Sequence, residues 1–257
     1  MGRIKLFKVR MINARLWKNL LNAIATLVDE ANFDANDRGI TLRAMDPSHV
    51  AMVDFEWPSE MFDEYTCDTP LKLCININEM LRLLRRVNAD ESLVLELDEK
   101  TARLTMILKS NYLRTFKMNT LEALSEEVPS PKITFQSAVK ITTNSIRDAI
   151  NDAATVSDYI IFQSTDSEFM MQASGDVGSV EIVIEKDSEE LLGLDVQEAS
   201  KAMFGLNYLS DMVKAASSVS DIVTIEFSSN MPLRLNFELP HQGKLQYYLA
   251  PRIESSD

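Results

Sequence analysis

Along this chain the spacing of apolar residues alternates between periods of two and of three to four, in a fixed order that occurs twice. Phe7, Val9 and Met11 alternate with Lys8 and Arg10, which predicts a strand with one buried face. Leu16, Leu20, Leu21, Ile24, Leu27 and Val28 then recur at helical spacing, with Asn13 placed to act as N-cap. Strand patterns follow at 40–44 and 51–55. A second helix carries Met80, Leu83, Leu84 and Val87 on its apolar side, and alternating runs at 93–97, 104–108 and 113–118 close the first copy. The second copy has helices near 144–155 and 208–217. Its clearest strand is 233–239, where Leu233, Leu235, Phe237 and Leu239 alternate with polar residues.

The two copies are related by a nearly constant offset. Ile77, Met80, Leu83 and Leu84 match Leu206, Leu209, Met212 and Val213, each 129 positions later. The same shift carries Ile40, Leu42, Ala44, Val53 and Phe55 onto Phe169, Met171, Ala173, Ile182 and Ile184. An internal repeat of this length fills nearly the whole chain of 257 residues. Strands grouped with two helices per copy predict an α+β architecture with the helices on one face of antiparallel sheets. The expected organisation is a first domain at 1–118, a connecting loop at 119–134 and a second domain at 135–257. Pro129 and Pro131 make that loop extended, Glu122, Glu126 and Glu127 make it acidic, and Leu121, Leu124, Val128 and Ile133 give it apolar contacts to make.

Composition narrows the function classes. No apolar run approaches the ~20 residues that span a bilayer, and Met1–Lys8 lacks the apolar stretch of a secretory signal. A cytosolic or nuclear protein with no membrane partner is expected. Two cysteines, Cys67 and Cys74, read as reduced structural thiols, and they and the histidines 49 and 241 are too scattered to hold a metal. Neither metal nor other cofactor is expected, and no glycine-rich phosphate loop is present. Asp46, His49 and Asp54 or Asp68 could be taken as acid–base or metal groups, but their spacing matches no nucleophile or metal motif. No catalytic residue is assigned.

The net charge of −13 argues against nucleic acid unless the cations are segregated. They are, in part. The polar side of the first helix shows Arg15 and Lys18, and that of the second shows Arg82, Arg85 and Arg86 against Glu79. The third offers Arg147 beside Asp148 and Asp152, and the fourth Lys214 beside Asp211. Taken singly, each of these is also what a solvated helix face looks like.

Three stretches carry a wider likeness: Ala44-Met-Asp-Pro-Ser-His-Val50, Phe62-Asp-Glu-Tyr-Thr-Cys-Asp68 and Tyr247-Tyr-Leu-Ala-Pro-Arg-Ile-Glu254. With the two-copy layout and the acidic connector, they resemble the proliferating-cell-nuclear-antigen family of DNA sliding clamps and its archaeal members, over essentially the whole chain. The resemblance implies the DNA clamp fold, with sheets outside and helices inside, in a non-enzymatic ring of three subunits around double-stranded DNA. One specialised alternative is a chain that acts only within a heterotrimer. The implied DNA-facing residues are Lys18, Arg82, Arg85 and Lys214, with Arg86 and Arg147 added from helical geometry. Asp148 and Asn151 stand where eukaryotic relatives have arginines.

The implied groove for short partner peptides comprises Met45, His49, Val50, Met52, Val128, Pro129, Pro232, Tyr248, Ala250, Pro251 and Ile253. On their own, Met45, Val50 and Ile253 read as core residues, and His49 as a structural or surface histidine. The implied subunit interface pairs Tyr112, Arg114 and Lys117 with Glu181, Val183 and Glu185. Implied partners are a separate ATP-driven clamp loader and DNA polymerase, flap endonuclease and DNA ligase. The implied location is the cytoplasm, at the nucleoid, for an archaeal chain, and the nucleus for a eukaryotic one.

Overall fold

The computed structural model describes residues 6–125 and 127–253, so the first five residues, Glu126 and Glu254 of the terminal motif lie outside the described residues. Packing divides the chain into two units, Met1–Pro47 with Val53–Val128 and Leu239–Leu245, and Ser48–Met52 with Pro129–Glu238 and Gln246–Asp257.

The first copy of the pattern folds as β1 (Phe7–Met11), α1 (Ala14–Ile24), β2 (Glu30–Asn36), β3 (Gly39–Met45), β4 (Ala51–Pro58), β5 (Glu64–Cys67), β6 (Leu71–Asn76), α2 (Ile77–Leu83), β7 (Ser92–Asp98), β8 (Arg103–Lys109) and β9 (Leu113–Asn119). The second gives β10 (Ser137–Thr142), α3 (Thr143–Ala154), β11 (Tyr159–Ser164), β12 (Glu168–Gly175), β13 (Gly178–Glu185), β14 (Leu191–Val196), β15 (Ser200–Gly205), α4 (Leu206–Ala216), β16 (Ile222–Phe227), β17 (Leu233–Glu238) and β18 (Lys244–Leu249). Strand order in the first copy is β5-β1-β7-β8-β9 and β4-β3-β2-β6; in the second it is β14-β10-β16-β17-β18 and β13-β12-β11-β15. Raising every strand number of the first copy by nine gives the second. The pairings are antiparallel, as in β1 with β7 and β10 with β16.

Each helix lays its apolar stripe on a sheet. In α1, Trp17, Leu20, Leu21 and Ile24 are buried, and the Trp17 ring meets Phe33 and Trp57 at centroid distances of 6.1 Å. The second unit gathers Phe162, Phe169, Phe204 and Phe227 in the same way. Truncating a fully buried residue such as Leu20 to alanine costs about 2–5 kcal/mol. Side-chain caps start three of the helices: Asn13 Oδ1 accepts from Leu16 N at 3.2 Å, Asn76 Oδ1 from Glu79 N at 2.9 Å and Thr142 Oγ1 from Ser145 N at 3.1 Å.

The structure departs from the sequence expectation at the second helix. The apolar series extends it to Val87, but α2 ends at Leu83, and Leu84 is its C-cap. The chain then tightens into three-residue turns, with Arg85 N bonded to Arg82 O and Val87 N to Leu84 O. Arg82 therefore lies in the last helical turn, while Arg85 and Arg86 lie in the turn beyond it. Three strands of the first copy, β2, β5 and β6, also went unassigned by alternation. β2 does alternate, burying Ala31, Phe33 and Ala35, but its Asn and Asp residues are poor strand formers.

The Phe62–Asp68 motif is structural. The Tyr65 hydroxyl sits 2.7 Å from the Asn36 carbonyl and 2.8 Å from that of Gly39, latching the β2–β3 hairpin. Gly39 has φ +140°, and a Cβ there would lie 2.3 Å from the Trp57 carbonyl oxygen, so the turn requires glycine. Asp63 and Asp68 accept from the backbone of Ile12 and Leu6.

Candidate functional site

The helix faces differ in charge. In the first unit Arg15, Arg82, Arg85 and Arg86 are exposed and Lys18 is half-buried. Lys18 Nζ donates to Arg85 O at 2.9 Å, so it both bridges α1 to the turn after α2 and places a cation at that helix C-terminus. The one acid on these faces, Glu79, reaches Arg82 only at 4.0 Å. In the second unit Arg147 is drawn to Asp148 at 3.4 Å. Asp148, Asn151, Asp152, Asp211 and Lys214 are exposed around it. Five cations against one acid make the first face phosphate-attracting; two against three make the second nearly indifferent.

The residues assigned to a peptide groove are distributed between the units. Met45 and Val128, in the first, are half-buried. In the second, His49 and Pro129 are exposed, Val50, Pro232, Ala250 and Pro251 are half-buried, and Met52 and Tyr248 are buried. Ile253 is 85% exposed, which overturns its reading as a core residue, and Met45 and Val50 are not core either. Ala250 N donates to Val50 O at 2.9 Å, joining two members of the set directly. Tyr248 is fixed through its hydroxyl, which lies 3.3 Å from Gln246 Oε1 and 3.5 Å from Arg234 Nη1. Arg234 is itself gripped by both oxygens of Glu226 and stacked on Phe135 at 5.0 Å, and the Glu226 bonds raise its pKa further.

The residues expected at the subunit interface lie on or beside two sheet edges. β9 and β13 are terminal strands of their sheets. Tyr112 is 65% exposed, Lys117, Glu181, Val183 and Glu185 are exposed, and Glu181 accepts from Gln172 Nε2 at 2.6 Å. Arg114 corrects the expectation of a free cation here. It turns inward to Glu91, Nη2 to Oε1 2.5 Å, with the Glu91 side chain only 4% exposed. Burial pushes the Glu91 carboxyl up, but the Asn88 N–H and the Arg114 guanidinium outweigh it and hold the pKa below its ordinary value.

Sequence reasoning missed what anchors the connector. Leu121 N donates to Cys74 O at 2.8 Å. The Asn32 amide then clasps Leu124 twice, donating to its carbonyl at 2.9 Å and accepting from its N–H at 3.0 Å. Lys72 Nζ meets Glu127 at 3.1 Å, and Arg43 reaches the Val128 carbonyl at 3.5 Å while holding buried Asp54 at 3.0 Å. Beneath lies a polar cavity of about 290 Å³. The apolar residues of the connector were the only signal of this in the sequence.

The acid–base alternative finds no centre. Asp54 is committed to Arg43 and Lys244, Asp68 to Leu6 N, and His49 is a solvent-facing residue with φ 56°. Burial pushes both cysteine thiols up, away from the reactive thiolate. Among the described residues no group of three His, Cys, Asp or Glu could hold a metal, and no helix is long and apolar enough to cross a membrane.

Comparison with known proteins agrees with this geometry. Residues 6–128 match the model of the N-terminal domain of proliferating cell nuclear antigen, and 129–252 that of its C-terminal domain. The chain is 36% identical to a DNA polymerase sliding clamp of Thermofilum pendens, covering 94% of this chain and 97% of that protein. It is 37% identical to DNA polymerase sliding clamp 1 of Pyrobaculum aerophilum, over 95% and 97% of the two chains. A crystal structure of the proliferating cell nuclear antigen of Thermococcus kodakaraensis superposes with a TM-score of 0.91 at 26% identity, covering 96% of this chain and all of that one.

Proposed function

The chain belongs to the proliferating cell nuclear antigen family of DNA polymerase sliding clamps, non-enzymatic processivity factors of DNA replication, and from that premise we propose that three copies close into a ring around duplex DNA. The observation that carries this is the segregation of charge: five cations to one acid on the α1–α2 face of a chain at −13. Cations turned to phosphates hold DNA without reading bases, because backbone contacts carry little sequence information. Enclosure keeps the ring on DNA, while the acidic remainder repels other strands.

Within each subunit the working divisions are 1–118, the connector 119–134 and 135–257. Ring closure sets β9 of one subunit against β13 of the next, which would cover two open strand edges. Lys117 faces Glu181 and Glu185 there, with Tyr112 and Val183 as apolar partners; Arg114 stays with Glu91 and contributes by holding β9 in place. Lys18, Arg82, Arg85 and Arg86 carry most of the DNA contact, with Arg147 and Lys214 secondary.

DNA polymerase, flap endonuclease and ligase dock by a peptide of the form Gln-x-x-aliphatic-x-x-aromatic-aromatic in the groove of Met45, His49, Val50, Met52, Val128, Pro129, Pro232, Tyr248, Ala250, Pro251 and Ile253. Exposed Ile253 and half-buried Pro251 are the kind of apolar anchors that dominate such interfaces. A separate ATP-driven loader opens the ring, in the cytoplasm at the nucleoid.

Light scattering should give a molar mass three times the chain's 29.0 kDa and co-elution with nicked circular DNA after loading; a monomer at all concentrations refutes the ring. Pro251→Ala with Ile253→Ala should abolish polymerase stimulation at unchanged molar mass. Loss of the trimer instead would make those residues structural.

A further inference from the structure

The two units carry the same seat, and among the described residues only the first has it filled. In the first, the connector leaves β9, sets Leu121 on Cys74 of β6, and crosses the sheet with Leu124 on Asn32, Glu127 on Lys72 and Val128 O at Arg43. In the second, the chain leaves β18 and makes the same first contact. Arg252 N donates to Met203 O of β15 at 2.7 Å, and Met203 is the position 129 after Cys74. There the likeness stops. Ile253 stands exposed, and among the described residues none follows the path that the connector takes in the first unit.

Adding 129 to the anchors of the connector gives Ile161 for Asn32, Lys201 for Lys72 and Gln172 for Arg43. Ile161 and Lys201 line one depression of about 590 Å³, and Ile161 and Gln172 line a second of about 240 Å³. The two adjoin at Ile161, and the trough they make spans β15, β11, β12 and the edge of β13. The cations around it are unequal. Arg252 is already paired with Asp158 at 3.3 Å and lies over the Tyr159 ring. Lys201 is exposed, and its ammonium has no partner among the described residues.

We propose that this trough seats an extended acidic peptide of a partner protein, its carboxylate on Lys201 and an aliphatic side chain over Ile161 and Met203. The connector shows the binding mode, since Lys72 takes Glu127 at the equivalent place. The peptide lies across the sheet and is not added as a strand to β15, whose edge is already occupied. Lys201 N donates to Ser229 Oγ at 3.1 Å, Lys201 O accepts from Asn230 N at 3.3 Å, and Met203 O is taken by Arg252. Replacement of Asn32 by Ile161 exchanges a backbone clasp for an apolar contact, so the occupant is selected by side chains. Glu181 also lines the far end of the trough, where Gln172 donates to it at 2.6 Å, so the acid of the peptide belongs at the Lys201 end. The inference rests on the repeat and not on the ring or the groove, although Ile253 borders both seats.

The probe is a fluorescein-labelled nonapeptide with the sequence of residues 120–128, titrated by anisotropy against the full chain at low salt. It should bind saturably, K201E should weaken it about tenfold through loss and reversal of one partly exposed pair, and K72E should leave it unchanged. A peptide with Glu127→Lys should recover binding to K201E. No saturable binding, indifference to K201E, or sensitivity to K72E overturns the proposal. So does tighter binding after removal of 254–257, which would make the chain's own end the occupant. A Gln-x-x-aliphatic-x-x-aromatic-aromatic peptide should bind K201E as it binds the parent. If K201E loses both peptides the trough is no separate seat, whereas failure of that second peptide on every variant touches only the groove.

Discussion

The two units share one backbone plan and present different surfaces. Ala14 N bonds to Glu91 O at 2.8 Å, and its counterpart Thr143 N bonds to Asp221 O at 2.8 Å. Yet the Glu91 side chain is buried against Arg114, while Asp221 is exposed. The helix face is cationic in the first unit and nearly neutral in the second, and among the described residues the connector seat is filled only in the first. The lesson is about which positions the fold constrains. The apolar period fixes which side chains are buried in each element, and a substitution on a wet face changes stability by only about 0.5 kcal/mol either way. A duplicated fold can therefore keep its topology while its polar positions take up separate tasks.

The sharpest test of the contrast is on DNA. Replacing Arg82, Arg85 and Arg86 by alanine should cut processivity severely. It should also flatten the salt dependence of DNA residence, by up to ~0.9 log unit per log salt for each phosphate that is no longer neutralised. Replacing Arg147 and Lys214 should do much less; equal effects would erase the asymmetry.

Next in size is the buried pair. Glu91→Gln should cost about 2–3 kcal/mol in urea unfolding, a little under the fully buried range because the Arg114 side chain keeps 19% of its exposure. Asp221→Asn should stay within about 0.5 kcal/mol. The pH dependence follows from the direction of the Glu91 shift. A carboxyl held below its ordinary 4.5 stabilises the fold above that value and loses the contribution as pH falls through its lower folded pKa. The gap between parent and Glu91→Gln should therefore close on acidification; a gap that widened would put the cause elsewhere.

The smallest effect is local. Asn32→Ala removes both bonds to Leu124 and should speed exchange of the Leu124 amide about tenfold. Ile161→Ala, with no described segment laid over it, should leave amide protection in its own unit unchanged. If Leu124 exchange does not respond, Asn32 is not what holds the connector.

Much of the fold was legible in advance because it is written in periodicity. The offset of 129, the first helix with its cap at Asn13, and the helices expected near 144–155 and 208–217, found at 143–154 and 206–216, follow from side chains that must be buried and N–H groups that must be bonded. β2 was not legible because its Asn, Asp and Glu residues are poor strand formers, and β5 and β6, at four and six residues, are too short for alternation to mark them; all three gain their stability from neighbours on the sheet. The cationic residues could be named from the sequence, but not that the helix stops before Arg85 and Arg86.

The sequence by itself determined the duplication, the class of fold and where positive charge collects, since each depends on the order of residue types along the chain. Tertiary structure alone decided that Arg114 serves Glu91, that Ile253 faces solvent, that Asn32 holds the connector 92 positions away and that Lys201 meets no partner among the described residues. These are pairings between distant parts of the chain. A charged group shows no sign in the sequence of which of many possible partners it will meet, and only packing brings one within hydrogen-bonding distance and excludes the rest.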